Sequence, residues 1–403
     1  CGLGRHRGRM SAVIVFAVFL LICTILKFLN VTSPPRPPRL LSSDSKFLEL
    51  VLKYCPHLNE TYVPVRLWGS SGHLQTIVHA TVGRTYCPHV VPRRIAARQE
   101  DGATVTWDLY EPTGAPQTDE DYTIAVCPGI ANSSESTYVR SLVSLACSRG
   151  YRCIVLNHLG VLPHVKVTSP RVFRYGQSDE LHLMLTKYVE ARPDTKLILV
   201  GFSMGGNIVC KYLGEPNRTR PGNIMGAISI CQGYDAVKSL QFLLEWNNLA
   251  RLYLFSMTEN MRSVIIRHKE ALLTEEVKRR YNVDERRVLS AATLPELDEV
   301  YTRRIFGFRN VEELYRNDSS ATYLGNVKVP IVFINARDDP LVHPDMLNIP
   351  QAFVQTNKNS LYIETEHGGH LGYYDGGFIV PRAVTWLDRT VVSLVTALAN
   401  NNQ

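Results

Sequence analysis

The chain has 403 residues, enough for one large domain with its own core and several appendages. Its net charge of +7 is modest and nowhere concentrated as a nucleic-acid surface requires, so nucleic acid is not expected as a partner. Nine cysteines contain no Cys-x-x-Cys pair, which points neither to a zinc site nor to a disulfide framework, and no metal or cofactor is expected.

Residues 1–9 form a basic tail with Arg5, Arg7 and Arg9. From Met10 to Leu26 there is no charge, and Phe28 and Leu29 extend the apolar run past Lys27, whose amine can snorkel. Residues 10–29 therefore read as a transmembrane signal anchor. A cleaved signal peptide is the alternative, but no small-x-small site follows Leu29, and Pro34, Pro35, Pro37 and Pro38 come next. Arginines held in the cytosol make this a single-pass type II arrangement, with the rest of the chain lumenal or extracellular, at the cell membrane or endoplasmic reticulum. Lys27, Arg36 and Arg39 weaken that bias. On that side the sequons at Asn59, Asn132, Asn217 and Asn317 are candidates for glycosylation, whereas Asn30 lies too near the membrane.

Residues 30–45 have the proline and serine content of an extended spacer. Within 46–400, taken as one domain, Lys46 to Tyr54 places Phe47, Leu50, Val51 and Tyr54 on one helical face. Strand-like runs follow at 104–110, 122–127, 152–156, 196–200, 224–230, 331–334 and 361–364, with helix-compatible stretches such as 138–148 and 180–191 between them. Short, nearly continuous apolar runs alternating with helices predict an α/β fold, its sheet mostly parallel and covered on both faces. Between about 235 and 326 the strand signal stops, and a charged, helix-favouring insertion reads as a cap. Phe242, Leu243, Trp246, Leu249, Tyr253, Phe255 and Met257 are candidates to line an apolar tunnel beneath it, although most are expected simply to hold the cap on the sheet.

Three stretches carry chemistry. Gly201-Phe202-Ser203-Met204-Gly205 follows the run 196–200 and precedes a helix-compatible stretch, the context of a nucleophile elbow. Asp338-Asp339-Pro340 places a carboxylate just past a strand, and His367-Gly368-Gly369-His370 places a histidine on a glycine-rich loop after the last strand. Serine, acid and histidine, in this order and at strand ends, suit covalent catalysis by an activated hydroxyl. Asp338 competes with Asp339, and His367 with His370. His158 reads as a hydrogen-bonded structural residue, and the His370-x4-Asp375 spacing as coincidence. The lysine that a phosphate-binding loop needs after its second glycine is absent at 201–206.

These motifs, together with Gly72-His73-Leu74-Gln75-Thr76, Cys127-Pro128-Gly129-Ile130-Ala131-Asn132, Asn157-His158-Leu159-Gly160 and Cys231-Gln232-Gly233-Tyr234, resemble the alpha/beta-hydrolases, and among them the membrane-anchored abhydrolase-domain lipases. The resemblance implies Ser203 as nucleophile, His370 as base, Asp339 as its orienting acid, and the Ile130 and Met204 N–H groups as an oxyanion hole. It further implies a lipid ester substrate, with monoacylglycerols foremost, and stimulation by a steroid ligand. The alternatives are a catalytically silent steroid receptor or scaffold, and a lipid acyltransferase.

Overall fold

Runs such as Leu197 to Val200 put aliphatic side chains on both faces of an extended segment, which is stable only with helices on either side. The computed structural model describes every residue except 1, 2, 89, 119, 247, 248, 402 and 403, and of residues 3–13 the backbone alone. Its nine strands are β1 (Arg39–Leu41), β2 (Arg93–Arg98), β3 (Thr104–Tyr110), β4 (Tyr122–Cys127), β5 (Arg152–Asn157), β6 (Lys196–Phe202), β7 (Ile224–Ile230), β8 (Ile331–Ala336) and β9 (Ser360–Thr365). They form one sheet in the order β1-β9-β8-β7-β6-β4-β5-β3-β2. The strands from β5 to β9 in that order are parallel neighbours, whereas β2, β3 and β1 join antiparallel at the edges.

Two cores sit on the two faces. One packs α2 (Ser45–Tyr54), α4 (Thr137–Ser148) and the C-terminal helix Trp386–Ala399 on Ile124, Val126, Ile198 and Val200. The other packs α5 (Asp179–Ala191) and α6 (Met204–Gly214) on Ala125, Leu197 and Leu199. The helix Trp386–Ala399 starts at a capping box, in which Thr385 and Asp388 satisfy each other's backbone N–H groups. Phe47 and Val51 of α2 are buried in the first core, so this amphipathic face packs on the domain.

Two edge strands were not expected. β1 lies inside the stretch 30–45 read as a spacer, and its Arg39 to Leu41 pair with Glu364 to Tyr362. That part of the spacer is therefore a strand of the sheet, which three residues cannot announce by composition. Upstream, α1 runs Leu3–Leu29. Its large apolar side chains between Ile14 and Phe28 are 39–68% exposed. No helix among the described residues is long and apolar enough to cross a membrane. The side chains of residues 3–13, where the expected span 10–29 begins and over which the basic tail extends, lie outside the described residues.

The insertion between β7 and β8 is helical. It begins with α7 (Ala236–Leu243), capped by Asp235, and α8 (Ala250–Arg267). Helix α7 ends at Leu243, and Leu249 stands at the start of α8 with a left-handed backbone, φ 57°. Farther on, Leu294–Leu297 leads into a π-helical turn, Asp298–Thr302, and the helix Val311–Asp318 closes the cap.

Candidate active site

Ser203 lies between the end of β6 and the start of α6, with φ 52° and ψ −118°, a conformation rarely adopted by a residue with a side chain. Its N–H donates to the Ile230 carbonyl at 2.8 Å, which anchors the strained turn to β7. The flanking glycines are demanded by space. A Cβ on Gly201 would stand 2.4 Å from the Gly205 carbonyl oxygen, and one on Gly205 1.9 Å from that of Cys127.

His370 follows β9, and its Nε2 lies 2.8 Å from Ser203 Oγ. Its Nδ1 lies 2.8 Å from Asp339 Oδ2. With the proton on Nδ1, the imidazole donates to the carboxylate and accepts from the serine hydroxyl. Asp339 has a fully buried side chain, and its other oxygen accepts from the Leu341 and Val342 N–H groups at 2.8 and 3.3 Å. A hydroxyl held this way can lose its proton to the ring as it attacks an electrophilic carbon.

The competing residues are engaged elsewhere. Asp338 accepts from the Gly369 N–H at 2.8 Å and stands 3.7 Å from His367 Nδ1. Burial raises the Asp338 carboxyl above its ordinary range. His158 Nε2 lies 2.9 Å from the Pro128 carbonyl, and burial lowers this histidine to about 4, so it stays neutral and structural. Asp375 accepts from Trp386 N–H and Arg389, tying the last helix down rather than facing His370.

Ile130 sits on the loop after β4, and Met204 is the first residue of α6. Among the described residues, neither backbone N–H has a hydrogen-bond partner. Both residues line a cavity together with Ser203 and His370, so two free donors border the same space as the hydroxyl. Asn132, a sequon residue, is engaged in this loop: its amide nitrogen donates to the Ile130 carbonyl at 2.7 Å and its oxygen accepts from Ser136. Asn59 and Asn217 are exposed, and Asn317 is half-buried.

The cavity encloses about 930 Å³ of empty space, part of it open to solvent, beneath the cap. Of the expected tunnel residues, Leu243 and Met257 line it. Leu249, Tyr253 and Met257 line a second groove that also reaches Ser203 and His370. Trp246 and Phe255 face outward, 84% and 52% exposed, and Phe242 packs edge-on against His343.

Three residues to which the sequence assigned no role hold the histidine loop. Thr76, on α3 (Gly72–Thr81), accepts from the His370 N–H at 2.8 Å. Gln75 accepts from the Tyr374 N–H at 2.9 Å. The buried Arg84 guanidinium donates to the Gly372 and Leu371 carbonyls at 2.7 and 3.0 Å. Gln75 and Thr76 lie in the Gly72–Thr76 stretch where the family resemblance begins, but no local pattern connects them with a loop almost three hundred residues later.

Residues 122–377 match the family model described as the alpha/beta hydrolase fold. The chain is 47% identical over 389 residues to abhydrolase domain-containing protein 2 of Drosophila melanogaster, covering 96% of this chain and 97% of that one. It is 39% identical over 385 residues to monoacylglycerol lipase ABHD2 of Homo sapiens, covering 95% and 90%. To phospholipase ABHD3 of Homo sapiens it is 26% identical over 380 residues, covering 93% and 88%. With the family model spanning β4 to the histidine loop and these relatives running nearly end to end, the chain belongs to the alpha/beta hydrolase family.

Proposed function

We propose that the chain is a serine hydrolase of lipid carboxylic esters, with a monoacylglycerol as substrate and a free fatty acid and glycerol as products. The observation that carries this reading is the unbroken line from Asp339 through His370 to Ser203, opening on an apolar cavity under the cap. The names of the lipase relatives support the lipid substrate.

In this reading Ser203 Oγ bonds to the acyl carbon while His370 Nε2 takes its proton. Asp339 keeps the ring oriented and stabilises the imidazolium. The Ile130 and Met204 N–H groups receive the charge that develops on the carbonyl oxygen. His370 then hands its proton to the departing glycerol oxygen. It next deprotonates a water that attacks the acyl-serine, releasing the acid and restoring Ser203.

The exposed apolar face of α1 supports a membrane anchor, and the arginines ahead of it support a lumenal or extracellular hydrolase domain. Protease protection that leaves the C-terminus accessible from the cytosol would reverse that topology. Steroid stimulation follows from the family resemblance, and titrating a steroid against purified enzyme tests it: unchanged hydrolysis without saturable binding rejects it.

The central experiment is labelling of the membrane-bound protein by a fluorophosphonate, alongside hydrolysis of a monoacylglycerol panel. Ser203→Ala is expected to abolish labelling and to lower turnover by about 10³-fold or more. Absence of labelling in folded wild-type protein rejects the hydrolase and favours a silent receptor or scaffold.

A further inference from the structure

Most of the wall of the Ser203 cavity is aliphatic or aromatic, as an acyl chain needs, yet Asp298, Thr302 and Tyr315 also line it. They converge from two segments. Tyr315 Oη donates to Asp298 Oδ2 at 2.7 Å, and the Thr302 hydroxyl stands beside the same carboxyl. Asp298 and Thr302 are the first and last residues of the π-helical turn. Such a turn interrupts the regular ladder of a helix and occurs frequently at functional sites.

Asp298 is also electrostatically exposed to cost. Among the described residues no cation forms a salt bridge with it. Arg174, on the same cavity wall, gives its guanidinium to Asp318 and stacks on Phe306 and Phe308 at 4.8 and 5.2 Å. Burial pushes the Asp298 carboxyl up to about 6, so near neutral pH it is still mainly an acceptor. A carboxylate can accept about four hydrogen bonds, and an unsubstituted alkyl chain lying against it would strip its water and return none. A link that merely fastened the π-helical turn to the helix Val311–Asp318 needs only neutral groups.

We propose that the cavity is built for an acyl chain bearing a hydroxyl away from its ester end, with Asp298 the acceptor that selects it. A chain-end carboxylate would be repelled by Asp298, and a ketone has no proton to donate to it. A hydroxyl donates to Asp298, whose carboxyl is held in place by the Thr302 and Tyr315 hydroxyls. The proposal deepens the reading of Ser203 as nucleophile and rests on it for the placement of the ester.

Its test reads binding separately from turnover. Full-length Ser203→Ala protein, which holds an ester without cleaving it, is titrated with methyl esters of ω-hydroxy and unsubstituted fatty acids over medium to long chains. At the best-fitting length the hydroxy ester is expected to bind about tenfold tighter. Adding Asp298→Asn should shrink that preference about three- to tenfold. Thr302→Val, isosteric and without a hydrogen-bonding group, should shrink it too and serves if the Asp298 variant does not fold. No preference at any length, or a preference unchanged by both variants, overturns the proposal and leaves the cluster as a fastener of the cap. Loss of hydrolysis in the wild type would sink the catalytic assignment without altering the binding comparison.

Discussion

Ser203 can stand proud of the sheet only because the residues around it give way. The backbone at φ 52° turns so sharply that the Gly205 Cα passes close to the Cys127 carbonyl, where an added methyl would stand 1.9 Å from the oxygen. At Gly129, by contrast, the nearest atom to an added Cβ is that of Ser203 at 3.5 Å, an ordinary contact. Gly205→Ala is therefore expected to destabilise the fold by about 3 kcal/mol or more, because backbone on both sides would have to move. Gly129→Ala should cost less than about 1 kcal/mol. Denaturant unfolding of the two variants makes the comparison, and equal losses would mean that the elbow is not confined as described.

The histidine loop depends on an element that carries none of the chemistry. Helix α3 lies so close to it that a Cβ on Gly369 would meet the Gly72 carbonyl at 2.4 Å, and Thr76 takes the His370 N–H. Thr76→Val keeps the shape but leaves that N–H unpaired in a buried site, a loss of about 1–3 kcal/mol. As a positioning residue Thr76 should act on kcat, lowering it about tenfold with little change in KM, whereas a general loss of folded protein would leave KM and kcat per active site intact. Fluorophosphonate titration of active sites supplies that count. The strands that carry Ser203, Asp339 and His370 were legible because each is a run of three or four apolar residues buried on both faces, with small or polar residues at its end. The edge strands were not. β2 reads Arg-Arg-Ile-Ala-Ala-Arg, and its place comes from pairing with β3 rather than from its own pattern. The roles of Thr76 and Arg84 were hidden for the same reason, since each is defined by a partner distant in sequence. Order and spacing narrowed the candidate triad to Ser203, Asp338 or Asp339, and His367 or His370; the family resemblance chose Asp339 and His370, and the structure brings these two and Ser203 within hydrogen-bonding distance.

Over the whole molecule, a charged group in an apolar cavity should leave its mark on stability as a function of pH. Burial raises the Asp298 carboxyl from the usual 3.8 to about 6, against the hydrogen bonds of Tyr315 and Thr302. The folded state thus holds this proton more tightly than the unfolded chain does. The stability it contributes is complete below about pH 3.8 and is lost as pH rises through 6, reaching a deficit of roughly 3 kcal/mol above it. His158 runs the other way: lowered to about 4 by burial, its contribution is present above its ordinary value of 6.5 and fades as pH falls through 4. That term is common to wild type and an Asp298 variant, so it cancels from their difference. Asp298→Asn should accordingly match or fall below the wild type near pH 4, where the native carboxyl is already protonated. It should gain on the wild type steadily to pH 7, reaching an advantage of up to about 3 kcal/mol. Paired urea titrations across this range measure the difference directly. A constant difference would show that Asp298 titrates alike in the folded and unfolded chain, and that the cavity hydrates it. A rising difference would show a carboxylate kept at the expense of stability, which is the cost expected of a group that serves a ligand.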